Sequence, residues 1–386
     1  MSARIFPFQH APTGTVVFGA GTAGKLADQR LLRRAERLLV VTDAGVRTAG
    51  LLERCLQGLG ERVALVDDTV RSDGDADHVD DLAARARASS IDAIVAVGGG
   101  SVIDTAKATA AVVAKKSSLA SLEGIATVRS ALLPIAAVPT TAGTGSEATQ
   151  FVVITDRAAG RKLILTDTSL VPSLAVLDPE LLLTLPREVT AATGVDALSH
   201  AVEALGSKLR NPFGTALALE AARVLLAEDG LARCLSHPED IEARGRVLSA
   251  ACLAGQAIST NLLGACHAFA HAVGAAKGIP HGVANGLFLG TVMRLNLERV
   301  RPAYATLGQS IGGSGEEALL AQHAIGAVER LVHEVAGIPR QLRQCGITEG
   351  DVPALAQGVL ADPDLATNPV ALKDVATVEQ LLRERL

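Results

Sequence analysis

The chain has no tryptophan, a single tyrosine and seven phenylalanines in 386 residues. Its cores must therefore be filled by Ala, Val, Leu and Ile. It also lacks a basic excess: the formal charge of −5 offers no general attraction for nucleic acid or an anionic membrane. No apolar run approaches the roughly 20 residues needed to span a bilayer. The opening stretch MSARIFPFQHAPTG has no basic segment followed by an apolar one, so no signal peptide and a cytoplasmic location are expected. Cysteine is scarce and scattered (Cys55, Cys234, Cys252, Cys266, Cys345), with no CxxC, and reads as reduced thiols. Cys266 stands beside His267 but is read as a small buried thiol.

Against these absences, 48% hydrophobic and 20% charged residues make a globular balance, in a chain long enough for two domains. Through the first half, short β-branched runs at 15–19, 38–43, 62–68, 93–99 and 134–140 alternate with amphipathic stretches at 46–58, 77–89 and 101–115. Near-continuous apolar strands separated by helices predict a parallel sheet covered on both faces, an α/β doubly wound domain of the dinucleotide-binding type. FVVITD (151–156) and KLILTD (162–167) flank the turn RAAG and predict a hairpin at the sheet edge, and 174–179 predicts one last strand. Beyond residue 185 the text turns to Ala/Leu-rich helical segments. The expected division is an α/β nucleotide-binding domain over 1–185 and an all-helical metal-binding domain over 186–386.

VAVGGGSVIDTAK (95–107) runs from a strand through Gly98, Gly99, Gly100 and Ser101 into a helix. Glycines let the backbone approach a pyrophosphate, and the helix start offers N–H groups and partial positive charge to it. The bland alternative is a tight turn. PTTAGTGSE (139–147) is a second donor-rich loop after a strand, carrying Thr140, Thr141, Thr144 and Ser146. Ligands sit at such loops in open α/β sheets, so two of them point to nucleotide phosphates. Asp43 ends a strand, where a carboxylate could take the ribose hydroxyls of NAD or simply cap the next helix.

In the second half, TGVDALSHAVEAL places Asp196 and His200 four apart, and GACHAFAHAVGAAKGIPHGVANG places His267 and His271 four apart with His281 following. Helix neighbours at i and i+4 have Cβ atoms about 5–6 Å apart, so one pair can grip an ion from one side. A continuous helix would hold His267 and His281 about 21 Å apart, so the chain must turn between them, at Gly278 and Pro280. An Asp and three His suit Fe(II) or Zn(II). His10, His78, His237, His323 and His333 read as ordinary satisfied histidines.

Together GGGSVIDTAK, PTTAGTGSEAT, LDPELLLTLP, ATGVDALSHAVEA and HAFAHAVGAAKGIPHGVANG resemble the iron-dependent, group III alcohol dehydrogenase family over nearly the whole chain. The resemblance implies a Rossmann-like N-terminal domain, a helical C-terminal domain and hydride transfer between NAD(H) and a small alcohol or aldehyde. It implies metal ligands at Asp196, His200, His267 and His281, with Fe2+ ahead of Zn2+, and a proton relay at His271. It implies cofactor contacts at Asp43, Gly98, Gly99, Gly100, Ser101, Thr140, Thr141, Thr144 and Lys162. The expected partners are a small alcohol or aldehyde and a second copy of the chain in a dimer, with no nucleic acid or membrane.

Two departures stand out. RSDGD (71–75) stands where many relatives carry Pro-Asn-Pro-Thr, near an adenosine-side contact at Asp73, and NPV (368–370) lacks a common Arg. Other readings are a maleylacetate reductase-like or glycerol dehydrogenase-like enzyme, a dehydroquinate synthase-type lyase, and a non-catalytic assembly protein. Asp196 argues against the maleylacetate reductase branch, where Asn usually stands. The lyase would carry several cations near the metal, where only Lys277 is found.

Overall fold

The structure is a computed structural model and describes residues 13–386; His10 and the rest of the N-terminal stretch lie outside them. The chain separates into two compact units, one ending at Thr184 and one spanning Leu185–Leu386.

The first unit contains strands β1 (Thr15–Phe18), β2 (Leu38–Val41), β3 (Val63–Asp67), β4 (Ala93–Gly98), β5 (Gly124–Ile125), β6 (Ile135–Pro139), β7 (Phe151–Asp156), β8 (Arg161–Thr166) and β9 (Leu174–Leu177). Its helices are α1 (Arg30–Arg33), α2 (Ala44–Thr48), α3 (Leu51–Cys55), α4 (Ala76–Ala88) and α5 (Gly100–Lys115). Six strands form one all-parallel sheet in the order β1-β9-β6-β4-β2-β3. β2, β4, β6 and β9 are buried throughout, as expected of strands covered on both faces.

Two expectations are corrected. The stretch 46–58 is not one helix: Gly50, in the left-handed region at φ 71°, breaks it into α2 and α3. The hairpin β7–β8 is antiparallel as read, but it is not an edge of the main sheet. It forms a separate three-stranded sheet with β5. Helix α5 explains this. Ile103, Ala106 and Ala110 face the main sheet, while Ala108, Ala111 and Val112 belong to the core with Val152, Ile154, Leu163 and Leu165 of the small sheet. A helix buried on both sides needs small residues, and α5 supplies them as Ala106, Ala108, Ala110 and Ala111.

The described part of the second unit is built of helices: α6 (Arg187–Gly206), α7 (Pro212–Leu226), α8 (Leu231–Ser236), α9 (Ile241–Asn261), α10 (Ala265–Lys277), α11 (His281–Ser310), α12 (Glu317–Glu329), α13 (Val352–Ala361) and α14 (Val375–Arg383), with longer connections at 330–351 and 362–374. Helix α6 lies at its centre against α7, α9 and α11 and is buried on every side from Gly194 to Gly206. Among the described residues no single helix is long and apolar enough to cross a membrane; α9 and α10 reach that apolarity only as a pair bent by 106°.

Candidate metal centre

A helix that is apolar all round belongs in a core, so charged or imidazole groups on it must be paired or bind something. Asp196 and His200 are such groups, both buried on α6. Glycines bring the neighbouring helices up to them. A Cβ on Gly194 would lie 2.4 Å from Leu231 Cδ1, and one on Gly282 would lie 1.9 Å from the Ala192 carbonyl oxygen. Only glycine after His281 lets the first turn of α11 press against α6. Gly278, at φ 65°, ends α10, and Pro280 precedes the first residue of α11, so the chain turns where expected.

His200, His267 and His281 consequently face one carboxylate oxygen. Their Nε2 atoms lie 3.7, 3.9 and 3.5 Å from Asp196 Oδ1. Ligands about 2.1 Å from a tetrahedral ion are about 3.4 Å from one another, so this spacing is close to that of a four-coordinate site. All four ligand atoms fall within 4.8 Å of one another. The His200 and His267 rings stack at 4.9 Å, and His281 is the exposed member, so the cluster opens at that ring.

The donor set suits a cation. Burial, reinforced by the neighbouring imidazoles His200, His281 and His271, holds His267 well below the usual imidazole range, keeping it neutral. Asn285 Nδ2 donates to Asp196 Oδ1 at 2.9 Å and sits 3.2 Å from Nε2 of both His267 and His281. One amide nitrogen thus lies within 3.2 Å of three of the four candidate ligand atoms. Behind the ring, His267 Nδ1 and Glu203 Oε2 share a hydrogen bond of 2.5 Å. Burial pushes the Glu203 carboxyl up to about 8 against the N–H groups that favour its charge. His200 Nδ1 is buried with no hydrogen-bond partner among the described residues.

His271, one turn beyond His267, stacks on His281 at 5.3 Å. Its Nδ1 donates to Asp362 Oδ2 at 2.8 Å, with Asp364 Oδ2 at 3.9 Å. Burial and the adjacent Asp362 charge lift Asp364 to about 6. Asp362 Oδ1 accepts the Asp364 N–H, so one carboxylate both caps the 363–367 turn and aims the imidazole.

Glu203, Asn285 and Asp362 were not singled out from the sequence. Glu203 had a signal, being seven residues after Asp196 and on the same helix face. Asn285 likewise stands four after His281.

In the first unit, the two glycine-containing loops leave the C-terminal ends of adjacent strands, Gly98 pairing with Pro139. A Cβ on Gly100 would lie 2.7 Å from Thr144 Cγ2, so glycine there lets the loops interlock, and Thr140 N–H donates to the Gly98 carbonyl. Gly99 precedes α5 and faces Thr141. Asp43 caps α2 by accepting the Val46 N–H at 2.9 Å. Ser101 Oγ accepts the Asp73 N–H at 2.9 Å, and Lys162 Nζ lies 3.3 Å from Asp73 Oδ1. The RSDGD segment therefore meets two of the residues assigned to the cofactor.

A parallel nucleotide-type sheet accompanied by a helical unit holding an Asp-His-His-His cluster defines a metal-dependent oxidoreductase architecture. Family models agree: residues 12–179 match iron-containing alcohol dehydrogenase and residues 190–386 match the C-terminal domain of the same family. The chain belongs to the iron-containing alcohol dehydrogenase family. It is 37% identical to the probable alcohol dehydrogenase EutG of Escherichia coli K12, over 94% of this chain and 90% of that protein. It is 34% identical to an NAD-dependent methanol dehydrogenase of Bacillus methanolicus, over 95% of each. A solved 1,3-propanediol oxidoreductase superposes with a TM-score of 0.94 at 33% identity, covering 99% of this chain and all of that one.

Proposed function

We propose that the protein interconverts a small alcohol and its aldehyde using NAD(H) and a divalent ion, Fe2+ ahead of Zn2+. The observation that carries this is the convergence of three imidazole Nε2 atoms, two of them from buried rings, on the buried Asp196 Oδ1. Asp196, His200, His267 and His281 would hold the ion. When bound, the ion supplies Lewis acidity toward the substrate oxygen and the nicotinamide supplies the hydride exchange.

The chain's own residues do the rest. His271 holds or releases the proton of the alcohol, with Nδ1 anchored on Asp362 so that the ring keeps one orientation. Gly98, Gly99, Gly100 and Ser101 at the start of α5 and Thr140, Thr141 and Thr144 beside it would cradle the cofactor phosphates. Lys162 adds charge, and Asp43 takes the ribose hydroxyls while capping α2. In this reading 1–185 is the nucleotide-binding domain and 186–386 the metal-binding domain. The NAD-dependent methanol dehydrogenase and 1,3-propanediol oxidoreductase relatives support small primary alcohols and diols as the substrates to try first. A cytoplasmic homodimer belongs to the same reading; its test is light scattering of the purified protein.

Metal analysis of purified protein, with an NADH-oxidation screen across small aldehydes, tests the proposal. One equivalent of iron or zinc and turnover on a short aldehyde are expected. His267→Ala retaining both metal and turnover would overturn the ligand set.

A further inference from the structure

Asp196, His200 and Glu203 lie at i, i+4 and i+7 on α6, so one helix face carries a carboxylate, an imidazole and a second carboxylate. The first two face the ion position. Glu203, one turn further on and buried, turns to the start of α10. Its Oε1 accepts the Cys266 N–H at 2.7 Å and its Oε2 lies 2.5 Å from His267 Nδ1, a hydrogen-bond contact. Gly264, which precedes α10, has no side chain with which to cap it, and a Cβ there would come within 3.0 Å of Glu203 Oε1. Asn368 Oδ1 takes the neighbouring Ala265 N–H at 3.2 Å. The helix that bears His267 and His271 is therefore capped from outside, by residues far away in sequence.

We infer that Glu203 is the positioning residue of the metal centre: it fixes α10 by its N-terminus and locks His267 in the Nδ1–H tautomer, so that Nε2 presents its lone pair to the ion. Once ionised, Glu203 can only accept, so Nδ1 then carries the proton. A ligating imidazole held by a carboxylate has its ring direction and basicity set in advance, and loss of such a partner typically weakens metal binding 10–100-fold.

The inference rests on the proposed metal site, and Glu203→Gln tests it with little change of shape. Gln can still cap α10 through its oxygen, but its amide then faces His267 Nδ1 with a donor and favours the Nε2–H tautomer. Affinity for Zn2+, measured by chelator competition on metal-stripped protein, is expected to fall 10–100-fold, while the melting temperature of the stripped protein stays near wild type. Unchanged Zn2+ affinity in the variant, beside a wild type that binds, would overturn the inference alone. A wild type that binds no Zn2+ would overturn the metal reading with it. A second measurement needs no variant: long-range 1H–15N spectra of stripped wild-type protein at pH 9, where Glu203 is ionised, should show the His267 ring protonated at Nδ1, and protonation at Nε2 there would overturn the inference.

Discussion

Lys162 Nζ stands 3.3 Å from the Asp73 carboxylate, on a loop whose backbone is tied to Ser101 and Thr155. Under the proposed function, the cofactor's pyrophosphate competes with Asp73 for this cation. Asp73→Asn should lower the KM for NADH about two- to fivefold, the range an exposed ion pair of up to about 1 kcal/mol allows. kcat should not move. The gain should shrink at high salt, because both side chains are exposed and screened. Initial-rate kinetics at low and high ionic strength check it, and a change in kcat without a change in KM would contradict the assignment of Lys162.

How much of this was legible beforehand differed with the range of the interaction. Asp196/His200 and His267/His271 could be read because helix periodicity alone puts each pair on one face. The main-sheet strands could be read because burial on both faces makes them uniformly apolar. Asp362 could not be read, because a lone carboxylate in a turn looks solvent-facing until the fold brings an imidazole to it; Glu203 shares the face of Asp196, but periodicity alone does not name His267 as its partner. The small sheet was misplaced for a related reason. Alternation in 151–156 and 162–167 reports a half-buried hairpin, but says nothing of α5 coming between it and the main sheet. Asp43 shows the limit from the other side: the cap is present, and capping leaves the nucleotide role undecided by pattern alone.

His281 is the exposed member of the four-residue cluster, so removing its ring disturbs the core least. His281→Ala should fold normally yet lose tightly bound metal. In wild type, an ion at 100 times its dissociation constant stabilises by about 2.7 kcal/mol. That corresponds to roughly 5–10 °C in a unit of this size. Chelator should therefore depress the wild-type melting temperature by that amount and leave His281→Ala unmoved. Equal responses in both proteins would remove His281 from the ligand set.

Asp67 and His78 give a pH dependence whose sign can be worked out. Their Oδ2 and Nε2 atoms are 3.0 Å apart, with Thr69, Asp75 and Arg85 around them. Burial alone would raise Asp67, but the bonds from His78 and Thr69 and the Arg85 charge leave it below the usual carboxylate range. The hydrogen bond to Asp67 raises His78 despite its burial. The His78 contribution is thus complete below about pH 6.5 and is lost as pH rises through its elevated folded value. The Asp67 contribution is present above about pH 4 and is lost as pH falls through its depressed value. His78→Ala should cost on the order of 1 kcal/mol near pH 5.5 and much less at pH 9. Thermal melts at the two pH values check this, and a larger deficit at pH 9 would reverse the assignment.

Lys107 is fully buried on α5, and its ammonium donates to Ser146 Oγ, to both oxygens of Thr149 and to the Phe151 carbonyl, all within 3.1 Å. Asp104, one turn earlier, accepts from Ser146 Oγ and the Val153 N–H, and its Oδ1 lies 3.7 Å from Lys107 Nζ. Burial lowers the lysine and raises the aspartate from their ordinary values, each opposed by the other's charge. This pair therefore fastens the 139–147 loop and the start of β7 to the helix that begins at Gly100. Lys107→Met keeps the length of the stem but leaves a buried carboxylate without its cation and four acceptors without their donor. Breaking one side of a buried pair costs about 3–5 kcal/mol. Lys107→Met/Asp104→Leu removes both charges and should recover part of that loss. Cofactor binding should not recover with it, because Ser146 and Thr149 remain untethered. Denaturant melts of the single and double variants, set beside the KM for NADH, separate the two effects. Full recovery of KM in the double variant would show that the pair supports stability without shaping the loop.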